Sequence, residues 1–272
     1  MPARYQVNLA FLDPYRKSDS SIHKLDSRVK LCFVLAFIVA VNMTPIQAWP
    51  AHLLYLLGLI SIGLLARVGM VAFLSRSMVA LPFVLMAALG VPWVHEGTRL
   101  VTVRVASWRV VITDAGLLRF AGVLARSWLS VLAAVTLVLT TRFVNVVKAM
   151  RSLGLPTVLT STILLAYRYI HLLVDEALRM MRAREARSAE PEQGAKGKSF
   201  LWRARVTGGM IGSLFLRTYD RSERIYYAML ARGFTGEIRT LQDSPLSRRE
   251  LTIVGLAVAA LAAMVTLANV YW

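Results

Sequence analysis

The sequence predicts an all-α integral membrane protein with about five transmembrane helices, about three long amphipathic cytoplasmic helices and a short β-hairpin between spans three and four. The first observation is composition, since 57% of the 272 residues are hydrophobic. The second is that these residues gather in long runs, which suit a bilayer core better than a soluble domain. The third is a net charge of +17, carried by basic residues between the runs. That placement favours anionic lipid headgroups and acidic protein surfaces as partners, and we expect no nucleic-acid binding.

The polar N-terminal segment, residues 1–28, carries several basic residues ahead of the first apolar run. A cleaved signal peptide has a short basic region, then an apolar core, then a small-residue cleavage site, and this segment does not follow that order. We therefore expect a cytoplasmic N-terminus and a first apolar run that stays in the membrane as a permanent anchor.

Five apolar runs are candidates for spans. Four of them form a predicted bundle within residues 29–141, and the fifth is the C-terminal helix at 251–272; the four lie at residues 29–44, 51–66, 78–93 and 115–140. Several are short for a bilayer core of about 30 Å, which needs about 20 helical residues. Lys30 and Arg67 can extend their charges to the interface, and Trp49 and Trp93 suit the interfacial region. We therefore expect all five to cross.

An alternating stretch separates the third and fourth spans. Residues 98–113 read TRLVTVRVASWRVVIT, in which apolar and polar residues roughly alternate and valine is frequent. This period of two predicts a short hairpin outside the bilayer core. It lies in an insertion near 95–114 that we expect on the external side, opposite the N-terminus.

The region 142–250 is rich in Arg and Lys but has apolar residues at helical spacing. After Leu155 only about 13 residues precede Arg168, which is short for a full crossing. A crossing there would also place a dense basic cluster outside, against the positive-inside rule. We therefore expect cytoplasmic or interfacial amphipathic helices, with an exposed linker at 188–199.

Patterns that would support catalysis are missing from the sequence. The segment GAKGKS resembles a phosphate-binding loop, but Glu192 stands where the loop needs its first glycine. The four histidines are not paired at helical spacing with another ligand residue, and Cys32 is the single cysteine. No nucleophile and base pair is recognisable. We expect no catalytic residues, no metal site and no cofactor, and therefore not an enzyme.

Arg126 is a charge in the middle of the fourth span. An arginine inside the bilayer is a functional candidate by default, because it is costly to place there. The alternative is that it faces the bundle interior and donates to backbone carbonyls. Both interpretations stay open at the level of sequence.

Two amphipathic stretches, residues 167–188 and 218–234, each end in an arginine beside small residues. An arginine at a helix end can donate two parallel hydrogen bonds to a carboxylate, and small neighbours permit close approach to a partner. The stretches are therefore suited either to insert into grooves on a partner protein or to lie on a lipid surface.

Four stretches of the chain resemble the T components of energy-coupling-factor (ECF) transporters, most closely the CbiQ-like cobalt/nickel branch. They are LDSRVKL at 25–31, TTRFVNVVKAMRSLGLP at 140–156, YRYIHLLVDEALRMMRAREARS at 167–188 and AMLARGFTGEIR at 228–239. They occur in the family's order and cover most of the chain. The insertion near 95–114 also occupies the place where the cobalt/nickel branch carries one.

The resemblance implies a transmembrane coupling subunit in the plasma (inner) membrane of a bacterium. Its implied partners are two ATP-binding-cassette ATPases, a membrane substrate-binding subunit and a small accessory membrane subunit. In the family, an arginine of each of two motifs enters a groove on an ATPase. The matching residues are Ala186, Arg187 and Ser188 in the first motif, and Ala231, Arg232 and Gly233 in the second. Ser188 stands where glycine is usual, so Arg184 offers a rival register for the first motif.

Other functions are kept as alternatives. A T component of a vitamin-specific ECF transporter would share the same motifs. A basic membrane-surface protein would use the same helices to bind anionic lipid, and would show strong salt dependence. A membrane enzyme acting on lipid or peptide would need a nucleophile that the sequence does not reveal.

Overall fold

The computed structural model describes residues 20–67, 69–90, 99–105, 108–187, 200–236 and 248–271. They belong to two compact units, which are treated separately. The first, the bundle unit, contains α1 (Ser21–Lys24), α2 (Ser27–Met43), α3 (Trp49–Leu65), α4 (Met70–Met78), α5 (Leu81–Ala88), β1 (Arg99–Val105), β2 (Trp108–Thr113), α6 (Asp114–Thr140), α7 (Phe143–Ser152) and α10 (Arg248–Tyr271). The second, the helix-pair unit, contains α8 (Thr157–Arg187) and α9 (Phe200–Ala231).

The core of the bundle unit lies around α2 and α6. Helix α2 packs against α6, α7 and α10, and α6 also contacts α3, α4 and α5. Phe37 and Tyr55 meet edge to face with ring centroids 5.4 Å apart, and Val41 and Leu132 are fully buried beside them in the same cluster. Many large apolar side chains on the outer faces are more than half exposed, among them Leu53, Leu57, Leu64, Phe83, Met86 and Leu256. A soluble monomer rarely exposes so much apolar surface, whereas lipid would cover it.

Side-chain caps set the beginnings of two bundle helices. The Asp26 carboxylate accepts a hydrogen bond from the backbone N–H of Arg28 at 2.9 Å, so α2 begins at Ser27. The Thr113 hydroxyl accepts one from the N–H of Gly116 at 3.2 Å, which starts α6 directly after β2. Short polar side chains at these positions satisfy amide groups that the first helical turn leaves without partners.

The third predicted span is not one continuous helix. The sequence pattern predicted a helix across 78–93, but α4 ends at Met78 and α5 begins at Leu81. Pro82 lies in the first turn of α5. Its ring would clash with the carbonyl of the residue four positions earlier, which is Met78, so a helix cannot run through this point without distortion. The described part of the predicted span therefore consists of the end of α4 and helix α5, and residues 91–93 lie outside the described part of the chain.

Three of the described helices are long and apolar enough to cross a membrane: α6, α8 and α10. Helix α3 and the stretch Phe73–Ala88 are apolar but shorter. The presence of α8 differs from the expectation that this region is too short to cross. That expectation counted the apolar run only as far as Arg168, whereas the helix continues without a break to Arg187. The assignment of α8 to the cytoplasmic side therefore rests on the positive-inside rule alone.

Two antiparallel strands occupy the alternating stretch. Val103 lies opposite Val110, and Arg104 lies opposite Arg109, with an irregularity between Arg99 and Val101. Alternation places successive side chains on opposite faces of such a ribbon. The side of the membrane on which the strands lie stays a prediction.

The compact units do not divide where the sequence pattern divided the chain. The pattern placed the whole of 142–250 in one coupling region. Helix α7 lies within that range but packs against α2 in the bundle unit, with Val147 and Ala149 buried. The helix-pair unit begins at Leu153 instead.

Candidate functional site

Helices α8 and α9 form an antiparallel pair. Arg184, near the end of α8, donates to the Met210 sulfur at 3.9 Å, and Glu176 accepts from Arg217 at 3.2 Å. Earlier positions on α8 therefore contact later positions on α9. The antiparallel direction of α8 and α9 decides where the two arginine motifs lie relative to each other.

Glu176 joins the two helices. Its carboxylate accepts from Arg179 on its own helix at 2.7 Å and from Arg217 of α9 at 3.2 Å. Residues three apart face each other on a helix, so the pairing with Arg179 is local. Arg217 is 41 positions away in the chain, and sequence reasoning did not predict its contact with Glu176. Only the antiparallel packing brings that guanidinium to the carboxylate.

The second motif ends α9 with a specific backbone geometry. Gly233 has a φ of 78°, and its N–H donates to the Leu230 carbonyl at 2.9 Å. The N–H of Phe234 donates to the Met229 carbonyl at 3.0 Å. This pair of bonds is the Schellman motif, which needs a left-handed residue that glycine adopts without steric cost. Arg232 therefore stands directly at the helix end, with a solvent-exposed side chain.

The structure describes only the first two residues of the first motif. Ala186 and Arg187 are the last two residues of α8 and both are exposed. Ser188, the third predicted motif residue, and the predicted linker at 188–199 lie outside the described residues. Ala231, the corresponding alanine of the second motif, is the last residue of α9 and is also exposed.

The structure does not bring the two motif arginines together. Arg187 shares a groove with Trp202 and Val206, which belong to the first part of α9. Arg232 follows the last residue of the same helix. At 1.5 Å per helical residue, about 40 Å of α9 separates the two ends. The two motifs are therefore at opposite ends of one antiparallel pair.

The structure shows a backbone acceptor for Arg126. Its Nη2 donates to the carbonyl oxygen of Thr44, the residue that caps α2. Its Nε is buried and has no hydrogen-bond partner among the described residues. Of the two interpretations left open by the sequence, the geometry favours donation to a backbone carbonyl. A direct role of Arg126 in transport stays a hypothesis.

No group of three or more His, Cys, Asp or Glu side chains that could hold a metal ion is present in the part of the chain that the structure describes.

Comparison with known proteins gives the family. A protein family described as "Cobalt transport protein", CbiQ, matches residues 18–242. An uncharacterized protein of Methanocaldococcus jannaschii is 28% identical over 92% of this chain and 84% of its own length. The energy-coupling factor transporter transmembrane protein EcfT of Acidaminococcus fermentans is 26% identical over 96% of both chains. The nickel permease LarQ of Lactiplantibacillus plantarum is 32% identical over 36% of this chain and 33% of its own.

The family match extends from the cap of α1 through the whole helix-pair unit and includes the second arginine motif. The similarity to EcfT covers nearly the full length of both proteins. These matches, the exposed apolar faces of the bundle unit and the long apolar helices together indicate a membrane protein. The chain therefore belongs to the CbiQ family and is the transmembrane T component of an energy-coupling-factor transporter.

Proposed function

We propose that this chain couples two cytoplasmic ATP-binding-cassette ATPases to a membrane substrate-binding subunit in an importer for cobalt or nickel ions. The chain itself would carry no catalytic residues, and ATP hydrolysis would occur in the partner subunits. The N-terminus and the helix-pair unit would lie on the cytoplasmic side of the plasma membrane.

The observation that carries this proposal is the separation of Arg187 and Arg232. They are exposed, and they mark opposite ends of one antiparallel helix pair. A single small groove could not receive two arginines about 40 Å apart along a helix. Two partner subunits, each with an acidic groove, could receive one arginine each. The spacing therefore supports a pair of ATPases.

The bridge at Glu176 supports a lever mechanism. Because Glu176 accepts from residues on both α8 and α9, it ties the helices near the middle of α8. Movement of one arginine by its ATPase would then shift the other helix as well. Closure of the ATPase pair would tilt both helices together, and the tilt would pass to the substrate-binding subunit.

The metal substrate is supported by the names of similar proteins. The family is described as "Cobalt transport protein", and LarQ is named a nickel permease. The EcfT relative carries no metal in its name, so a vitamin-specific transporter is the alternative. Uptake of radioactive cobalt and nickel by cells that express the whole operon, with and without this chain, distinguishes the two.

Affinity co-purification from native membranes in mild detergent tests the coupling role. We expect two ATPase subunits and a second membrane protein to copurify, and the double change Arg187→Ala with Arg232→Ala to remove the ATPases. The matched control is Arg205→Ala, an exposed arginine of α9 that belongs to neither motif. Retention of the ATPases and normal metal uptake by the double variant would contradict the lever mechanism.

The vitamin and lipid-surface alternatives predict different outcomes in the same experiment. Copurification of a vitamin-binding membrane subunit would move the assignment to the vitamin branch. A chain that purifies without any ATPase, but binds anionic vesicles in a salt-dependent way, would favour the membrane-surface protein.

A further inference from the structure

A groove of about 680 Å³ lies between α8 and α9. This volume is in the range of ligand-binding sites, which is about 300–1,000 Å³. Both helices contribute charged and apolar side chains to its walls. The charged residues of the lining are Glu176, Arg179, Arg184, Arg187 and Arg217, and its uncharged residues include Met180, Trp202, Val206, Gly209 and Met210.

The charges that line the groove do not balance. Four arginines face one carboxylate, Glu176, which already accepts from Arg179 and Arg217. Arg184 donates to the Met210 sulfur at 3.9 Å, and a thioether is a weak acceptor. Arg187 has no hydrogen bond or ion pair with any described residue. Among the residues that the structure describes, two guanidinium groups of the groove, those of Arg184 and Arg187, therefore have no anionic partner.

The dipole of α8 compensates for part of this charge. Arg184 and Arg187 lie in its last turn, where the partial negative charge of the helix end favours cations. That effect is small for an exposed group, and salt screens it. It does not occupy the hydrogen-bond donors of a guanidinium. Those donors match the oxygen atoms of a phosphate, to which arginine can bind through two parallel bonds.

The apolar residues of the groove indicate that the ligand has an apolar part. The Trp202 ring, Val206 and Met210 of α9 and Met180 of α8 line the groove beside the arginines. A free phosphate ion would leave these side chains uncovered. A molecule with a charged head and an apolar body would contact both parts of the lining. Large exposed apolar side chains continue along α9 beyond the groove, including Leu201, Ile211, Phe215 and Leu216.

We propose that the groove between α8 and α9 binds an anionic glycerophospholipid. Its phosphate would contact Arg184, and also Arg187 while no ATPase holds that guanidinium. Its glycerol and the upper part of its acyl chains would lie against Met180, Trp202 and Val206. Basic pockets between helices at the cytoplasmic surface of a membrane are suited to such headgroups. The site would bind lipid in the isolated chain, so it needs neither ATPase nor substrate subunit and goes beyond the coupling function.

The test uses the full chain, purified in detergent and stripped of endogenous lipid. Native mass spectrometry follows the titration of phosphatidylglycerol and, separately, of phosphatidylcholine with matched acyl chains. We expect the chain to bind phosphatidylglycerol about tenfold more tightly, and added sodium chloride to reduce this preference, because the headgroup contact is ionic. Equal affinity for the two lipids would overturn the proposal.

Gly209→Leu tests the groove without changing any charge. A Cβ at this position meets no heavy atom within 4 Å, so a side chain can begin there without a clash and occupy part of the groove. Leucine also has a higher helix propensity than glycine, so the variant should fold. Gly212→Leu is the matched control, because it too has open space and does not line the groove. We expect about tenfold weaker phosphatidylglycerol binding for Gly209→Leu alone; equal binding by the two variants would contradict the proposal.

Arg184→Gln tests the charge independently. We expect binding to fall about fivefold or more, because the phosphate loses a charged donor. Arg205→Gln removes the same charge from an exposed position that does not line the groove, and should change binding less than about twofold. Equal losses in these two variants would show that net charge, rather than the groove, attracts the lipid.

Two competitors identify the source of the ligand. Sodium phosphate and a poly-glutamate peptide are added to the chain loaded with phosphatidylglycerol. We expect neither to displace the lipid at equal concentration. Displacement by phosphate would assign the groove to a soluble anion, and displacement by the peptide would assign it to an acidic protein partner; either result rejects the lipid. No ATPase is present, so these outcomes are independent of the co-purification experiment.

Discussion

Lys30 of α2 donates from Nζ to the carbonyl oxygen of Thr140, the last residue of α6, at 3.2 Å. Arg126 of α6 donates in return to the carbonyl of Thr44 at the end of α2. Each helix therefore supplies a cation to the C-terminal end of the other, which fixes them as an antiparallel pair. Carbonyls at a helix end lack partners within the helix, and lipid cannot replace them. Cations at these ends also complement the helix dipole.

Arg126→Leu should destabilise the bundle unit by about 1–3 kcal/mol, because the Thr44 carbonyl loses its side-chain donor in a site that water does not readily reach. Unfolding of the purified protein in mixed detergent, followed by circular dichroism, measures the change. Arg249→Leu, at an exposed position near the start of α10, is the control and should have a small effect. Equal effects of the two variants would contradict this role for Arg126.

Lys30→Met should destabilise the protein by a similar amount, because Lys30 also donates to the His23 carbonyl at 3.3 Å. The two cations act at opposite ends of the α2 and α6 contact, about 20 Å apart along the helices. We therefore expect the double variant with Arg126→Leu to lose the sum of the two free energies, within about 0.5 kcal/mol. A double variant no less stable than either single one would show that the two contacts are not independent.

Gly233→Ala should disturb the end of α9. The φ of 78° costs a residue with a Cβ about 1 kcal/mol, so the last turn should fray and Arg232 should lose its fixed position. We expect weaker ATPase association in the co-purification and faster amide exchange at residues 229–234. Gly255→Ala, inside α10 with open space around it, should be neutral or slightly stabilising. Unchanged exchange in Gly233→Ala would argue against the Schellman motif.

Glu176 and Arg217 should show a small coupling energy. Both side chains are partly or largely exposed, so a double-mutant cycle of Glu176→Gln and Arg217→Gln should give a coupling energy at the weak end of the range for ion pairs. Their larger effect should be on coupling, because the bridge ties α8 to α9. We expect reduced metal uptake with ATPase binding retained, and no effect from Glu223→Gln, an exposed residue of α9. Normal metal uptake by both Glu176→Gln and Arg217→Gln would show that this ion pair is not needed for coupling.

The membrane side of the helix pair can be measured directly. In a Cys32→Ser background, a cysteine at Glu223 on α9 should react with a membrane-impermeant maleimide only after the cells are permeabilised. A cysteine at Ala106, between the two strands, should react in intact cells. Labelling of position 223 from outside would mean that α8 crosses the membrane, as its length and apolarity permit.

Much of the architecture could be predicted from local patterns. The run at 115–140 became α6, and the run at 251–270 became α10, because a long, predominantly apolar stretch has few alternatives to a helix. Gly233 was recognisable as a helix end, since few other residues adopt a positive φ at low cost. The interruption between Met78 and Leu81 was not predicted, because the apolar pattern continues through Pro82, which ends regular hydrogen bonding even in an apolar run.

The sequence by itself determined the class of the protein and its basic amphipathic helices, because composition and helical periodicity act over a few residues. The tertiary structure alone decided which distant groups meet: Lys30 with Thr140, Arg126 with Thr44, and Glu176 with Arg217. It also decided that the two motifs lie at opposite ends of one helix pair. Such contacts depend on how helices pack and in which direction they run, and local patterns do not encode that direction.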